Sequence, residues 1–151
     1  MSFYTDVIQP DPRFHSPVEC RDVALLEHFT RIAVANIIAD AKSLGISLIV
    51  TETFRSAERQ EMLFSQRATQ LRTVGTHHYG LACDFAKIIM GAASWAGDWQ
   101  FLADLAAKHG LVSGLNWNLP GPHGFVDPDH VQRCEVAQQE LLFAGEWYPS
   151  A

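Results

Sequence analysis

Apolar and polar positions change their period several times along this chain, and each change marks an element. The sharpest case lies at residues 80–86. Leu81, Cys83 and Phe85 are apolar and sizeable, whereas Gly80, Ala82, Asp84 and Ala86 are small or charged. That alternation is the period of a strand with one face in a core. The other face is kept nearly bare around one carboxylate. A surface strand would fill it with Thr, Lys or Gln, so the emptied face leaves room for something to approach Asp84.

The flanking pattern predicts the rest of the domain. Residues 1–15 are Pro-rich and read as an irregular N-terminal strap. Ser16, Pro17 and Glu19 form a helix-start signature. From there Leu25, Phe29, Ile32, Ala33, Ile37, Ala41 and Leu44 make a helical stripe that stops at Gly45, as one long helix or two joined near Cys20–Asp22. Ile46 to Phe54 is rich in β-branched residues and reads as a strand. It delivers Arg55 and then Ser56, which can cap a helix reaching about Gln70. Ile88 to Gly97 is a connection carrying Trp95. Asp98 caps a short helix that buries Phe101, Leu102, Leu105 and Ala106 and closes at Gly110.

Leu111 to Ser113 suits a short strand, and Asn116 to Gly124 reads as a loop by composition. In Phe125 to Gln132, Pro128 bars a full hydrogen-bond ladder, so an edge strand or the rim of a sheet fits. Arg133 to Ala144 has a helical pattern, ahead of an aromatic end at Trp147 and Tyr148. No repeat, low-complexity tract or linker divides residues 1–151, which are expected to form a single domain.

Composition narrows the classes. With 48% hydrophobic and 19% charged residues the chain is ordinary globular material. Its net charge of −6 and the lack of a basic block argue against nucleic acid as a partner. Three widely spaced cysteines, Cys20, Cys83 and Cys134, show neither a CxxC pair nor zinc-finger spacing and are expected as reduced thiols. Met1 to Pro17 has no basic leader or apolar run, and no stretch is long enough to span a membrane. Synthesis in the cytoplasm without a signal peptide is the expectation, with no membrane partner.

The candidate chemistry gathers on the bare strand face. A turn at Tyr79-Gly80 could fold the His77 imidazole back beside Asp84, a pairing that suits a divalent metal and zinc above all. His130 can supply a third ligand, leaving a fourth position open as catalytic zinc requires. Asp127, three residues earlier, could take a proton as general base. Arg55, at the exit of a core strand, is either a surface ion pair or a fixed guanidinium that orients a substrate carboxylate or steadies a tetrahedral intermediate. Such a set would hydrolyse an amide.

These residues resemble a known family. Phe54-Arg55-Ser56 with Gln60, then His77, Gly80, Ala82 and Asp84, then Asp127-Pro128-Asp129-His130 are similar, in order, to the three motifs of peptidase family M15. This family comprises zinc D-Ala-D-Ala carboxypeptidases and L-alanyl-D-glutamate endopeptidases that cut peptidoglycan stem peptides, many phage endolysins among them. The resemblance runs from roughly Arg31 to Gln132. It implies an α+β fold, a small antiparallel sheet flanked by helices of the Hedgehog/D-Ala-D-Ala peptidase kind. It further implies zinc on His77, Asp84 and His130, with Asp127 as the base and Arg55 on substrate. The family's spacing of seven between histidine and aspartate selects His77 over His78, which is left behind the ligands or at the surface.

Two positions depart from the pattern. Gly75 stands where the family has a serine, leaving Thr76 as the nearby hydroxyl that could meet substrate. His123 and Trp117, in the loop before the last motif, are placed at the rim of the cleft as further substrate contacts. Asp127 in place of a longer glutamate points to the endopeptidase branch. The expectation is a monomeric zinc peptidase acting on the L-Ala–D-Glu bond of a peptidoglycan stem peptide after release to the cell wall. A D-Ala-D-Ala carboxypeptidase is the alternative within enzymes, and a zinc-binding interaction module without catalysis the alternative outside them.

Overall fold

The structure is a computed structural model and describes residues 2–69, 74–119 and 125–150. Its elements follow the order α1 (His28–Ser43), β1 (Leu48–Glu52), α2 (Ala57–Ser65), β2 (Ala82–Ile89), β3 (Ala92–Ser94), α3 (Gln100–Lys108), β4 (Val112–Leu119), β5 (Phe125–Gln132) and α4 (Gln139–Phe143). Short helical turns at Tyr4–Ile8, Val23–Leu25, Thr76–Tyr79 and Val136–Gln138 connect them. The strands form one antiparallel sheet in the order β1-β2-β5-β4, and β3 pairs with β2 as a hairpin. This is the α+β architecture expected. Among the described residues no helix is long and apolar enough to cross a membrane.

The alternation in β2 sets the layers. Cys83 and Phe85 are fully buried, and with Leu48 and Val131 they join Ala33, Val34, Ile37 and Ala41 of α1 and Leu102, Leu105 and Ala106 of α3 in one core. Residues two apart along a strand share a face, so Asp84 must look the other way. Leu81 lies just before the strand and packs instead with Cys134 and Leu142 under the C-terminal aromatics. Register then does the assembling: Glu52 of β1 pairs with Asp84 of β2, and Asp84 pairs with His130 of β5. Three chemically active side chains from three strands therefore stand in a row on the face away from α1 and α3.

Several local expectations change. The helix does not begin at Ser16. Residues 16–22 instead run beside the exit of β1, where the Cys20 carbonyl accepts the Thr53 amide at 2.7 Å and the Ser16 carbonyl accepts the Ser56 hydroxyl. Backbone partners of this kind outweigh the local helix-start signal. The cap of α1 is Glu27, whose carboxylate accepts the amides of Phe29 (3.0 Å) and Thr30 (2.7 Å). The buried stripe of α1 accordingly runs through Thr30, Ala33, Val34, Ile37 and Ala41, while Phe29, Ile32 and Leu44 are exposed. Within the strap, Tyr4–Ile8 forms a helical turn with Ile8 buried.

Part of the expected loop is strand. β4 continues to Leu119 because it pairs with β5, and that pairing is irregular: Ser113 meets Val131, yet the next residue, Gly114, meets Asp127. The extra residues of β5 around Pro128 form a bulge. Gly114 permits it, since a Cβ there would run into the Asp127 carbonyl.

Candidate active site

The site is built on the turn Thr76–Tyr79, which reverses the chain into β2. Gly80 ends the turn with φ of +73°, and a Cβ there would approach the Leu25 carbonyl and the Ile8 side chain at 2.8 Å. Glycine is therefore needed both for the left-handed backbone and for the close approach. The reversal brings His77 back over β2. Its Nδ1–H donates to the Thr53 carbonyl (2.7 Å), which turns Nε2 toward Asp84, 3.2 Å from Oδ1. That Nε2 is buried and, among the described residues, has no hydrogen-bond partner.

His130 arrives from the bulged strand. Its Nδ1 lies 2.9 Å from Asp84 Oδ1, its Nε2 faces Gln132 Oε1 at 2.8 Å, and its ring centroid is 5.0 Å from that of His77. One ligand atom from each of His77, Asp84 and His130 fits within 4.8 Å of the others. Burial opposes charge on Asp84, but the two imidazoles beside it hold its carboxyl well below the usual range. Burial also opposes charge on His130, and the hydrogen bond and charge of Asp84 overcome it, raising this imidazole to about 9. The cluster thus wants a positive charge between its acceptors. A metal cation meets that need, and the orphaned His77 Nε2 is already aimed at it. The donor set of two imidazoles and one carboxylate fits zinc.

Two acids occupy the bulge. Asp127 Oδ2 lies 3.9 Å from His130 Nδ1, with the side chain one third exposed on the cleft wall. Asp129, part of the last motif but given no role there, is pushed up to about 8 by burial, by a hydrogen bond with Asp127 and by the charge of Asp84. Trp95, from just beyond β3, donates its indole N–H to Asp129 Oδ2 at 3.1 Å. A regular strand would have sent Asp127 and Asp129 away from the face that His130 shares. The bulge is what gathers all three.

Arg55 is no surface ion pair. Its side chain is only 12% exposed and donates to Glu52 Oε1 (2.7 Å) and Gln60 Oε1 (3.2 Å), with Asp84 Oδ2 at 3.6 Å. Arg59 binds the other oxygen of Glu52 at 2.5 Å, so one buried acid sits between two guanidinium groups. Burial works against the charge on Arg55, yet Glu52 and Asp84 keep its pKa raised.

The cleft over these groups has a volume of about 290 Å³, and Arg55, Thr76, His77, Trp117, Asp127 and His130 are on its wall. Trp117 stands with its ring centroid 4.8 Å from that of His130. Thr76 is buried, and its hydroxyl donates to Gln132 Oε1 at 3.1 Å. His123 lies outside the described residues. His78 is neither at the surface nor in the cleft. It is buried among Tyr4, Phe14, Phe54 and Tyr79, with Nε2 on the Tyr4 hydroxyl (2.9 Å) and Nδ1 on the Arg55 carbonyl (3.1 Å). Gln132 was also missed, although it stands two residues beyond His130 and so shares its strand face.

A compact His-Asp-His cluster, open to a cleft and backed by a small antiparallel sheet with helices on its far side, makes this an α+β domain with a candidate metal site on the open face of its sheet. No protein-family model matches the chain. The peptidoglycan L-alanyl-D-glutamate endopeptidase CwlK of Bacillus subtilis (strain 168) is 32% identical, over 52% of this chain and 59% of the relative. The chain thus spans less than two thirds of that relative. The vancomycin-resistance D,D-pentapeptidase VanY of a VanB-type cassette, solved with Zn(II), superposes with a TM-score of 0.57 at 12% identity, over 79% of this chain and 78% of that one. The vancomycin-resistance D,D-dipeptidase VanXYg, bound to a D-Ala-D-Ala phosphinate analogue, gives 0.54 at 13% identity, over 89% and 66%. The resemblance to peptidase family M15 holds in sequence through CwlK and in fold through the Van peptidases.

Proposed function

We propose that this protein is a zinc metallopeptidase that hydrolyses peptidoglycan stem peptides at the L-Ala–D-Glu bond. The observation that carries the reading is the cluster of His77, Asp84 and His130 with Asp127 beside it on an open wall. A site that only held a metal for structure would be closed by a fourth protein ligand. His77, Asp84 and His130 would hold the zinc, which when bound supplies Lewis acidity toward water and the peptide carbonyl.

The other residues define the remaining roles. Asp127, partly solvated, takes the proton of the attacking water and returns it to the departing amine. Arg55 is held rigid by Glu52 and Gln60, so its guanidinium meets a substrate carboxylate or the developing oxyanion without reorganising. Trp117 walls one side of the cleft and limits water there. The choice of bond rests on the likeness to CwlK and on the shorter aspartate at position 127. Action on the cell wall follows from the same likeness.

Mass spectrometry of muropeptides digested by the purified protein tests this reading. New N-termini on D-Glu are expected. Release of D-alanine with the L-Ala–D-Glu bond intact would assign the protein to the carboxypeptidase branch, and zinc uptake with no hydrolysis would make it a zinc-binding module.

A further inference from the structure

Gln132 is fully buried, and each end of its amide is committed. The Nε2 end faces the Cys134 carbonyl, a group that only accepts. The other end is therefore the oxygen, and it meets two donors: the Thr76 hydroxyl at 3.1 Å and His130 Nε2 at 2.8 Å. A ring nitrogen that faces an amide oxygen must carry a hydrogen. Nε2 of His130 is therefore a donor to Gln132, and Nδ1 is directed at Asp84.

The two donors come from different parts of the chain. His130 sits on β5, whereas Thr76 opens the turn that carries His77 as its next residue. One side-chain oxygen thus joins both histidine-bearing segments from behind. Ala82, the register partner of Gln132 on β2, has the smallest side chain that keeps a Cβ.

We propose that Gln132 is the positioning residue of this metal site, holding His130 with its proton on Nε2 and tying β5 to the turn that carries His77. The inference rests on the metal site proposed above, but not on which bond is cut. Outer groups that orient a ligating histidine are typically worth about 10–100-fold in metal affinity.

The experiment uses the full chain with histidine labelled by nitrogen-15, together with zinc titration against a competing chelator. In the wild type, metal-free or zinc-loaded, the His130 Nε2–H should appear as a downfield, slowly exchanging proton. Gln132→Leu should lose that protection and bind zinc about 10–100-fold more weakly. Gln132→Glu keeps an oxygen toward both donors and should restore affinity to near the wild-type value even if its melting temperature falls. Thr76→Val should keep the His130 signal and weaken zinc by less than Gln132→Leu.

A protected Nε2–H that survives in Gln132→Leu, or unchanged zinc affinity in that variant, would overturn the proposal. So would failure of Gln132→Glu to restore affinity, which would reduce Gln132 to packing. A wild type that binds no zinc would sink the metal reading instead, while the proton signal would still decide what Gln132 does to His130.

Discussion

His77 and His78 are neighbours on one turn and almost equally buried, at 3% and 5% exposed, yet they belong to opposite regions of the molecule. On one side is a polar cleft. There His77 spends one ring nitrogen on a backbone carbonyl and keeps the other for Asp84 and the metal position. On the other side is an aromatic box. There both nitrogens of His78 are engaged, by Tyr4 and by the Arg55 carbonyl, and burial pulls its pKa down. Burial therefore does not distinguish a candidate ligand from a packing residue. What differs between the two histidines is whether a ring nitrogen lacks a hydrogen-bond partner among the described residues.

The largest effect should come from breaking the cleft side directly. His77→Ala should lose most bound zinc by elemental analysis and reduce peptidoglycan hydrolysis to background. Metal retention in that variant would void the assignment of this side of the turn.

Next in size is Asp127→Asn. The amide is nearly isosteric and leaves His77, Asp84 and His130 in place, so zinc content should stay at the wild-type level. Hydrolysis should fall about 10²–10⁴-fold, the usual contribution of a general base. Loss of zinc together with activity would instead make Asp127 a ligand.

Arg55→Lys probes the edge where the two regions meet, since the Arg55 carbonyl supports His78 while its guanidinium faces the cleft. Lysine keeps the charge and loses the planar fork. Turnover should drop about 10- to 100-fold, equivalent to about one or two charge-assisted hydrogen bonds. Wild-type rates would leave Arg55 a structural partner of Glu52 only.

The smallest effect on activity belongs to the aromatic box. His78→Phe keeps a ring among Tyr4, Phe14, Phe54 and Tyr79 but strands the Tyr4 hydroxyl and the Arg55 carbonyl. Chemical denaturation should show a loss of about 1–3 kcal/mol, with zinc content and hydrolysis preserved. If zinc fell with stability, the two regions would not be separable.

Several features were legible without coordinates because their causes are local. The alternation through Cys83, Asp84 and Phe85 predicts which way each side chain faces, and β2 follows it. The motif spacing picked His77, Asp84 and His130, and these come together within 4.8 Å. Other signals misled for an equally physical reason. Ser16, Pro17 and Glu19 look like a helix start, but the carbonyls nearby are claimed by Thr53 and Ser56 from a distant part of the chain. Asn116 to Leu119 has loop composition, and pairing with β5 still makes it strand.

By itself the sequence determined the periods and the turn at Gly80, both properties of neighbouring residues, and its motif spacing named the candidate cluster of His77, Asp84 and His130. Only the tertiary structure decided that Glu52, Asp84 and His130 stand side by side, because register is settled between strands and not along one. It also decided that β5 bulges against Gly114, which turns Asp127 and Asp129 toward the cleft. The clamp of Gln132 on Thr76 and His130 belongs to the same class. A hydrogen bond between residues 56 positions apart has no local signature, and exists only once the core has brought its partners together.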